Sequence, residues 1–187
     1  MTRPPPRPYE FAVEPSAPAT EAHVFKTRSG WIGLIARGDV LCRTLLPSPS
    51  KERLLEAVRL AELDAAATPP PKALASVVEV LIAYFDGAKV DPAAVPARFD
   101  PGPISEFSLK VYRELRTVKR GETCTYGRLA ARIGLSGSAR AVGAAMRRNR
   151  FPLLVPCHRV LASGGAVGGF SSPGGIADKE ALLRLES

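Results

Sequence analysis

Thr125–Asn149 reads TYGRLAARIGLSGSARAVGAAMRRN. Thr125 is a helix-capping residue type, and Tyr126, Leu129, Ala130 and Ile133 follow at helical spacing until Gly134 stops the run. The turn Leu135-Ser136-Gly137 leads into a second helix, Ser138 to about Asn149. Two short helices across a glycine-containing turn form a helix-turn-helix pattern. The second helix carries two stripes: Ala139, Val142, Met146 and Asn149 suit a core, while Arg140, Ala144, Arg147 and Arg148 suit an outer face. Small residues let that face approach a groove closely while the arginines reach phosphates or bases.

Immediately downstream, Leu153-Leu154-Val155-Pro156-Cys157-His158-Arg159-Val160-Leu161 sets a thiol, an imidazole and a guanidinium between two apolar runs. The thiolate is the reactive form of cysteine, cations stabilise it, and a histidine accepts its proton directly or through one water. A buried structural cysteine at a strand end fits the same short segment. Ser163–Gly175 is glycine-dense, with Phe170 and the hydroxyls of Ser171 and Ser172. Its glycines suit close approach to a ligand or an idle hairpin turn, and no phosphate-loop spacing is present. A last helix is expected from about Ile176 to Glu186.

Charge separates the two halves of the 187-residue chain. Residues 1–102 hold 12 Lys/Arg and 12 Asp/Glu; residues 103–187 hold 14 and 6, which accounts for the whole net charge of +8. Between Glu122 and Asp178 there is no acid but there are seven arginines, among them Arg140, Arg147, Arg148, Arg150 and Arg159. A single-signed stretch around a candidate nucleophile points to a polyanion, nucleic acid first.

Working toward the N-terminus, a helix is expected from about Ser105, with Phe107, Val111, Leu115 and Val118 on one face. Residues 88–103, with Pro92, Pro96, Pro101 and Pro103, act as a connection. Leu74, Val77, Val78, Leu81, Ile82 and Phe85 stripe a second helix, and Ser50 caps another that runs to about Ala66. Two strand-like runs flank Arg37-Gly38-Asp39, which suits a hairpin. The chain therefore divides into a proline-rich, unstructured lead (1–21), an α/β unit with linker and no evident chemistry (22–102), and a mainly helical unit (103–187).

Apolar residues make up 45% and charged residues 24%, a soluble globular composition with no run of eighteen apolar residues to span a membrane. Arg3 and Arg7 stand among prolines, which excludes a secretory signal. Cys42, Cys124 and Cys157, with only His23 and His158 to add, form no zinc spacing, so no metal is expected and a reducing cytoplasm is the natural compartment.

Residues 103–187 resemble the O6-alkylguanine-DNA alkyltransferases, the methylated-DNA–protein-cysteine methyltransferases. Gly121–Ala130, Ala139–Met146, Asn149–Val160 and the glycine-rich loop with Lys179-Glu180 carry the resemblance, with Pro-Cys-His-Arg-Val at its centre. It implies an RNase H-like N-terminal unit and a helix-turn-helix C-terminal domain acting in the minor groove of double-stranded DNA. Cys157 would accept the alkyl group from guanine O6 once per molecule, with no cofactor. His158 would be its base through a water, and Glu186 would orient His158. Tyr126 would crowd the target phosphate and protonate the leaving guanine. Arg140 would fill the vacated space in the duplex, and Asn149 would be a hinge. Val160 and Cys157 would offer carbonyls to the base, Ser171 would bond its O6 edge, and Met146 and Phe170 would line the pocket. Arg147 and Arg159 would add DNA contacts. The protein would act as a monomer.

Three positions depart from the family pattern: Phe170 stands where tyrosine is usual, Ser172-Pro173 adds two residues, and Arg150 replaces a common proline. Other readings are a module that recognises alkylated guanine without accepting the group, a helix-turn-helix regulator, and a cysteine hydrolase. Such recognition modules replace the cysteine, and here Cys157 is present. A regulator leaves Pro156–Arg159 without purpose, and a hydrolase has no need of the basic stretch.

Overall fold

The computed structural model describes residues 9–11, 20–60 and 67–187. Strands β1 (Tyr9–Phe11), β2 (Glu21–Thr27), β3 (Gly30–Arg37), β4 (Val40–Ser48), β5 (Ala67–Thr68) and β6 (Ala97–Phe99) form one sheet in the order β1-β6-β4-β3-β2-β5. The centre is an antiparallel meander, β2-β3-β4, and the short pairings of β1, β5 and β6 are parallel. Gly38 turns the β3–β4 hairpin at φ 59°, and Gly30 sits where a Cβ would come 2.5 Å from the Ser48 carbonyl oxygen. The hairpin matches the expectation around Arg37-Gly38-Asp39. The unstructured lead does not hold at Tyr9–Phe11, which pairs with β6 and stacks Phe11 on Phe99 at 5.3 Å. The rest of residues 1–19 lies outside the described residues.

Helix α1 (Lys51–Leu60) begins where the Arg53 amide donates to Ser50 Oγ at 3.2 Å. Its expected continuation over 61–66 lies outside the described residues. Helix α2 (Ala75–Phe85) buries Val77, Leu81, Tyr84 and Phe85, so the buried stripe takes in a tyrosine that the apolar pattern passed over. Helix α3 (Glu106–Leu115) starts at the Ser105 cap. Helices α4 (Tyr126–Arg132) and α5 (Ala139–Arg147) follow the predicted turn, and α6 (Ile176–Glu186) closes the chain. Thr125 caps α4 by accepting from the Arg128 amide at 3.2 Å. A two-stranded parallel ribbon, β7 (Cys124–Thr125) with β8 (Val160–Leu161), joins the entry of α4 to the exit of the Pro-Cys-His-Arg segment.

One buried apolar cluster runs without a break from Leu34 and Leu81 through Val111 and Leu129 to Leu154 and Val160. Polar clamps then fix the chain ahead of Cys157. The Arg116 guanidinium donates to the carbonyls of Leu154 (2.8 Å) and Val95 (2.9 Å). From β4, the Thr44 amide donates to the Arg150 carbonyl at 2.8 Å and its hydroxyl to the Pro152 carbonyl at 3.0 Å. Among the described residues no helix is long and apolar enough to cross a membrane.

Candidate active site

The backbone presents Cys157 through a tight reversal. Leu153 is the one non-glycine among the described residues at positive φ (72°), a conformation held only by the packing around it. Pro156 (φ −81°, ψ 65°) then makes an inverse γ-turn, with the Cys157 amide donating to the Val155 carbonyl at 2.8 Å. Cys157–Arg159 is a single 3-10 turn rather than a strand end.

Asn149 holds this reversal together. Its amide nitrogen donates to the Val155 carbonyl at 2.8 Å and to Cys157 Sγ at 3.1 Å, and its oxygen accepts from the Phe151 amide at 2.9 Å. Both donor hydrogens are used, so the side chain is locked. Burial raises the Cys157 thiol pKa, and the Asn149 hydrogen bond and the Lys179 ammonium work against that rise. Lys179, fully buried, donates its Nζ to the Val160 carbonyl at 2.5 Å.

Behind the thiol, His158 Nε2 meets Glu186 Oε1 at 2.9 Å. Glu186 also accepts from Arg159 Nε at 2.9 Å, Arg159 Nη2 at 2.8 Å and the Tyr84 hydroxyl at 2.9 Å. Burial opposes its ionisation, but the hydrogen bonds from His158 and Arg159 outweigh it and hold the carboxyl well below the usual range. Burial lowers the His158 pKa against the pull of Glu186, which keeps the ring neutral. An ionised Glu186 assigns the ring proton to Nε2. Nδ1 is then an acceptor, and it is buried with no hydrogen-bond partner among the described residues.

Arg159 corrects two expectations. It is 0% exposed and spends its donors on Glu186, Asp91 (2.8 Å) and the Val118 carbonyl (2.7 Å), so it contacts no DNA and does not face the thiol. A guanidinium taken fully from water needs this many acceptors. The N-terminal half, read as carrying no evident chemistry, supplies two of the network's groups: Tyr84 from α2 and Asp91 from the connection. No local sequence signal marked them.

In front of the thiol lies a cleft of about 450 Å³, lined by Tyr126, Met146, Asn149, Pro152, Phe170 and Ser171 among others. The Tyr126 ring lies between Gly143 of α5 and Gly168 of the glycine-rich loop, where a Cβ on either would touch it at 3.7 or 3.4 Å. Burial and the neighbouring Cys157 raise the Tyr126 pKa, keeping the phenol protonated. The outer face of α5 exposes Arg140, Arg147 and Arg148 as its stripe requires, and Val142 and Met146 are buried. Arg140 and Arg147 line a wider groove that shares Tyr126, Phe170 and Ser171 with the cleft. The site thus unites Tyr126, Met146, Asn149, Cys157, Phe170 and Ser171 around one space, with His158 and Glu186 behind it. Among the described residues no group of three or more His, Cys, Asp or Glu side chains is placed to hold a metal ion.

The chain is similar to known proteins across this region. The profile of the 6-O-methylguanine DNA methyltransferase DNA-binding domain matches residues 106–187. A methylated-DNA–protein-cysteine methyltransferase of Mycolicibacterium paratuberculosis is 42% identical over 119 residues, 64% of this chain and 68% of its own length. That of Methanothermobacter thermautotrophicus is 37% identical over 133 residues, covering 71% and 70%. The crystal structure of the Mycobacterium tuberculosis O6-methylguanine methyltransferase superposes with a TM-score of 0.68 at 32% identity, over 89% of this chain and 92% of that one. The Mycobacterium tuberculosis protein has also been crystallised with DNA.

Proposed function

The chain belongs to the methylated-DNA–protein-cysteine methyltransferase family, and from that premise we propose that Cys157 is the acceptor through which it repairs O6-alkylguanine in DNA. The protein is a DNA-repair alkyltransferase, and its reaction is one displacement. The Cys157 thiolate attacks the carbon bonded to guanine O6; the S–C bond forms as the C–O6 bond breaks, and the electron pair leaves on O6. The thiol proton passes through a water to His158 Nδ1, and a proton from Tyr126 returns the base to guanine. The thioether is stable, so each molecule acts once.

The observation that carries this reading is the contrast between the two His158 nitrogens. Nε2 is held by Glu186 at 2.9 Å, and Nδ1 is a buried acceptor with no protein donor. A buried polar atom without a partner is rare, and a relay water satisfies it. Because burial raises the thiol pKa, an adjacent proton acceptor is required rather than optional.

The remaining roles follow the cleft. The target base must leave the stack, at a cost of a few kcal/mol. Arg140 fills its place, Tyr126 crowds its phosphate, and Arg147 contacts the backbone. Cys157 and Val160 carbonyls and the Ser171 hydroxyl read the base, with Met146 and Phe170 as walls and Asn149 as the hinge that fixes the thiol. We read α4 and α5 as a helix-turn-helix lying in the minor groove, supported by the small outward residues of α5. The β2-β3-β4 meander with α1 and α2 supports an RNase H-like N-terminal unit, and we keep the division into 22–102 and 103–187. The protein acts as a monomer in the cytoplasm on double-stranded DNA and needs no cofactor.

The test compares wild type with Cys157→Ser on a duplex carrying one isotopically methyl-labelled O6-methylguanine. Wild type should take up the label and the variant should bind the duplex without taking it up. Label transfer by the variant would sink the assignment.

A further inference from the structure

The cleft in front of Cys157 opens in two directions. One mouth faces the groove that carries Arg140, on the α5 recognition face. The other passes Arg147, Asn149, Pro152 and Ser171 into a separate groove of about 1040 Å³ at the seam between β4 and the segment after α5. Four arginines line that second groove, Arg43, Arg147, Arg148 and Arg150, and none of its lining residues is acidic. Among the described residues no side-chain hydrogen bond or ion pair engages any of the four guanidiniums. Burial and the nearby Arg150 push the Arg43 pKa below the usual guanidinium value. Like charges held together without an acid repel, and a bound anion relieves that repulsion.

The rest of the lining is mixed: Leu45, Leu46 and Ile104 with Pro101, Pro103, Pro152 and Pro173 are apolar, and Thr44, Asn149 and Ser171 are neutral and polar. Apolar side chains that share a groove with guanidiniums suit a hydrocarbon or aryl stem that ends in a negative charge. The seam is rigid, because Thr44 ties β4 to the carbonyls of Arg150 and Pro152. Pro173, from the Ser172-Pro173 pair, lines this groove and not the cleft.

We propose that this second groove receives the far end of long, anionic O6 substituents, so that guanines carrying bulky, negatively charged alkyl arms are substrates of the same thiol. The proposal rests on the alkyl-transfer reading. The displacement is unchanged: the S–CH2 bond forms, the CH2–O6 bond breaks, the electron pair leaves on O6, and the carboxylate is a spectator on the arm.

The experiment measures single-turnover transfer from three duplexes, carrying O6-methylguanine, O6-(4-carboxybenzyl)guanine or its neutral 4-carbamoylbenzyl counterpart. The anionic arm should react about tenfold faster than the neutral one, the worth of one charge-assisted pair. Arg43→Gln with Arg150→Gln should erase that ratio and leave the methyl rate unchanged, which also certifies folding. Equal rates for the two arms in wild type overturn the proposal, as does a preference that persists in the double variant. An equal loss on all three duplexes also overturns it and assigns the groove to the DNA backbone. No transfer from O6-methylguanine would instead remove the alkyl-transfer reading itself.

Discussion

The Tyr84 hydroxyl donates to Glu186 Oε1 at 2.9 Å, so a helix packed on the N-terminal sheet buttresses the carboxylate that holds His158. The pair spans 102 residues of sequence. Tyr84→Phe should cost about 1 kcal/mol, the net worth of one buried hydrogen bond, and lower Tm by a few degrees. It should also slow single-turnover transfer measurably, because the carboxylate loses a restraint. Unchanged Tm and rate in the variant would disconnect the two halves.

Glu186 also links stability to pH. Its folded carboxyl titrates well below the unfolded value, so its contribution is fully present above about pH 5 and fades as pH falls toward the folded value. Glu186→Gln leaves Arg159 buried beside a neutral group and should cost about 3 kcal/mol at pH 7. Urea midpoints of wild type and variant should lie far apart at pH 7, and the gap should narrow progressively as pH falls below about 4 toward the folded value. A gap that is constant with pH would mean that the charge of Glu186 does not carry the network.

Asn149 works on the thiol itself. Its hydrogen bond to Sγ offsets part of the rise that burial imposes. Asn149→Ala should therefore shift the pH profile of iodoacetamide alkylation at Cys157 upward and slow transfer at neutral pH by about tenfold or more. A profile that does not move would make Asn149 a backbone clamp only.

Arg140 is exposed on α5, away from the His158–Glu186 network. Arg140→Ala should lower repair of an O6-methylguanine duplex about tenfold or more and spare reaction with free O6-benzylguanine, which needs no extrusion. Raising salt should weaken duplex binding through counterion release. Equal losses on both substrates would argue against a role in holding the base out.

What could be read from the sequence was local. The α4-turn-α5 pair and the Arg140/Arg147/Arg148 stripe follow from spacing within 25 residues. The Pro-Cys-His-Arg core with its terminal Glu186 was legible through a resemblance to a known family. Tyr84 and Asp91 were not legible, because their partners lie 102 and 68 residues away and an apolar stripe does not mark a polar tip. The pairing of Tyr9–Phe11 with β6 was hidden by the surrounding prolines. Arg159 looked like part of a basic face because sequence shows charge and not direction. Its two carboxylate partners turn it inward.

The most direct measurement is the intact mass of the protein after incubation with excess duplex containing one O6-methylguanine. A gain of one methyl, located on the peptide carrying Cys157 and stopping at one equivalent, is the predicted result. No gain, with binding still selective for the damaged duplex, would contradict the account and leave a recognition module in its place.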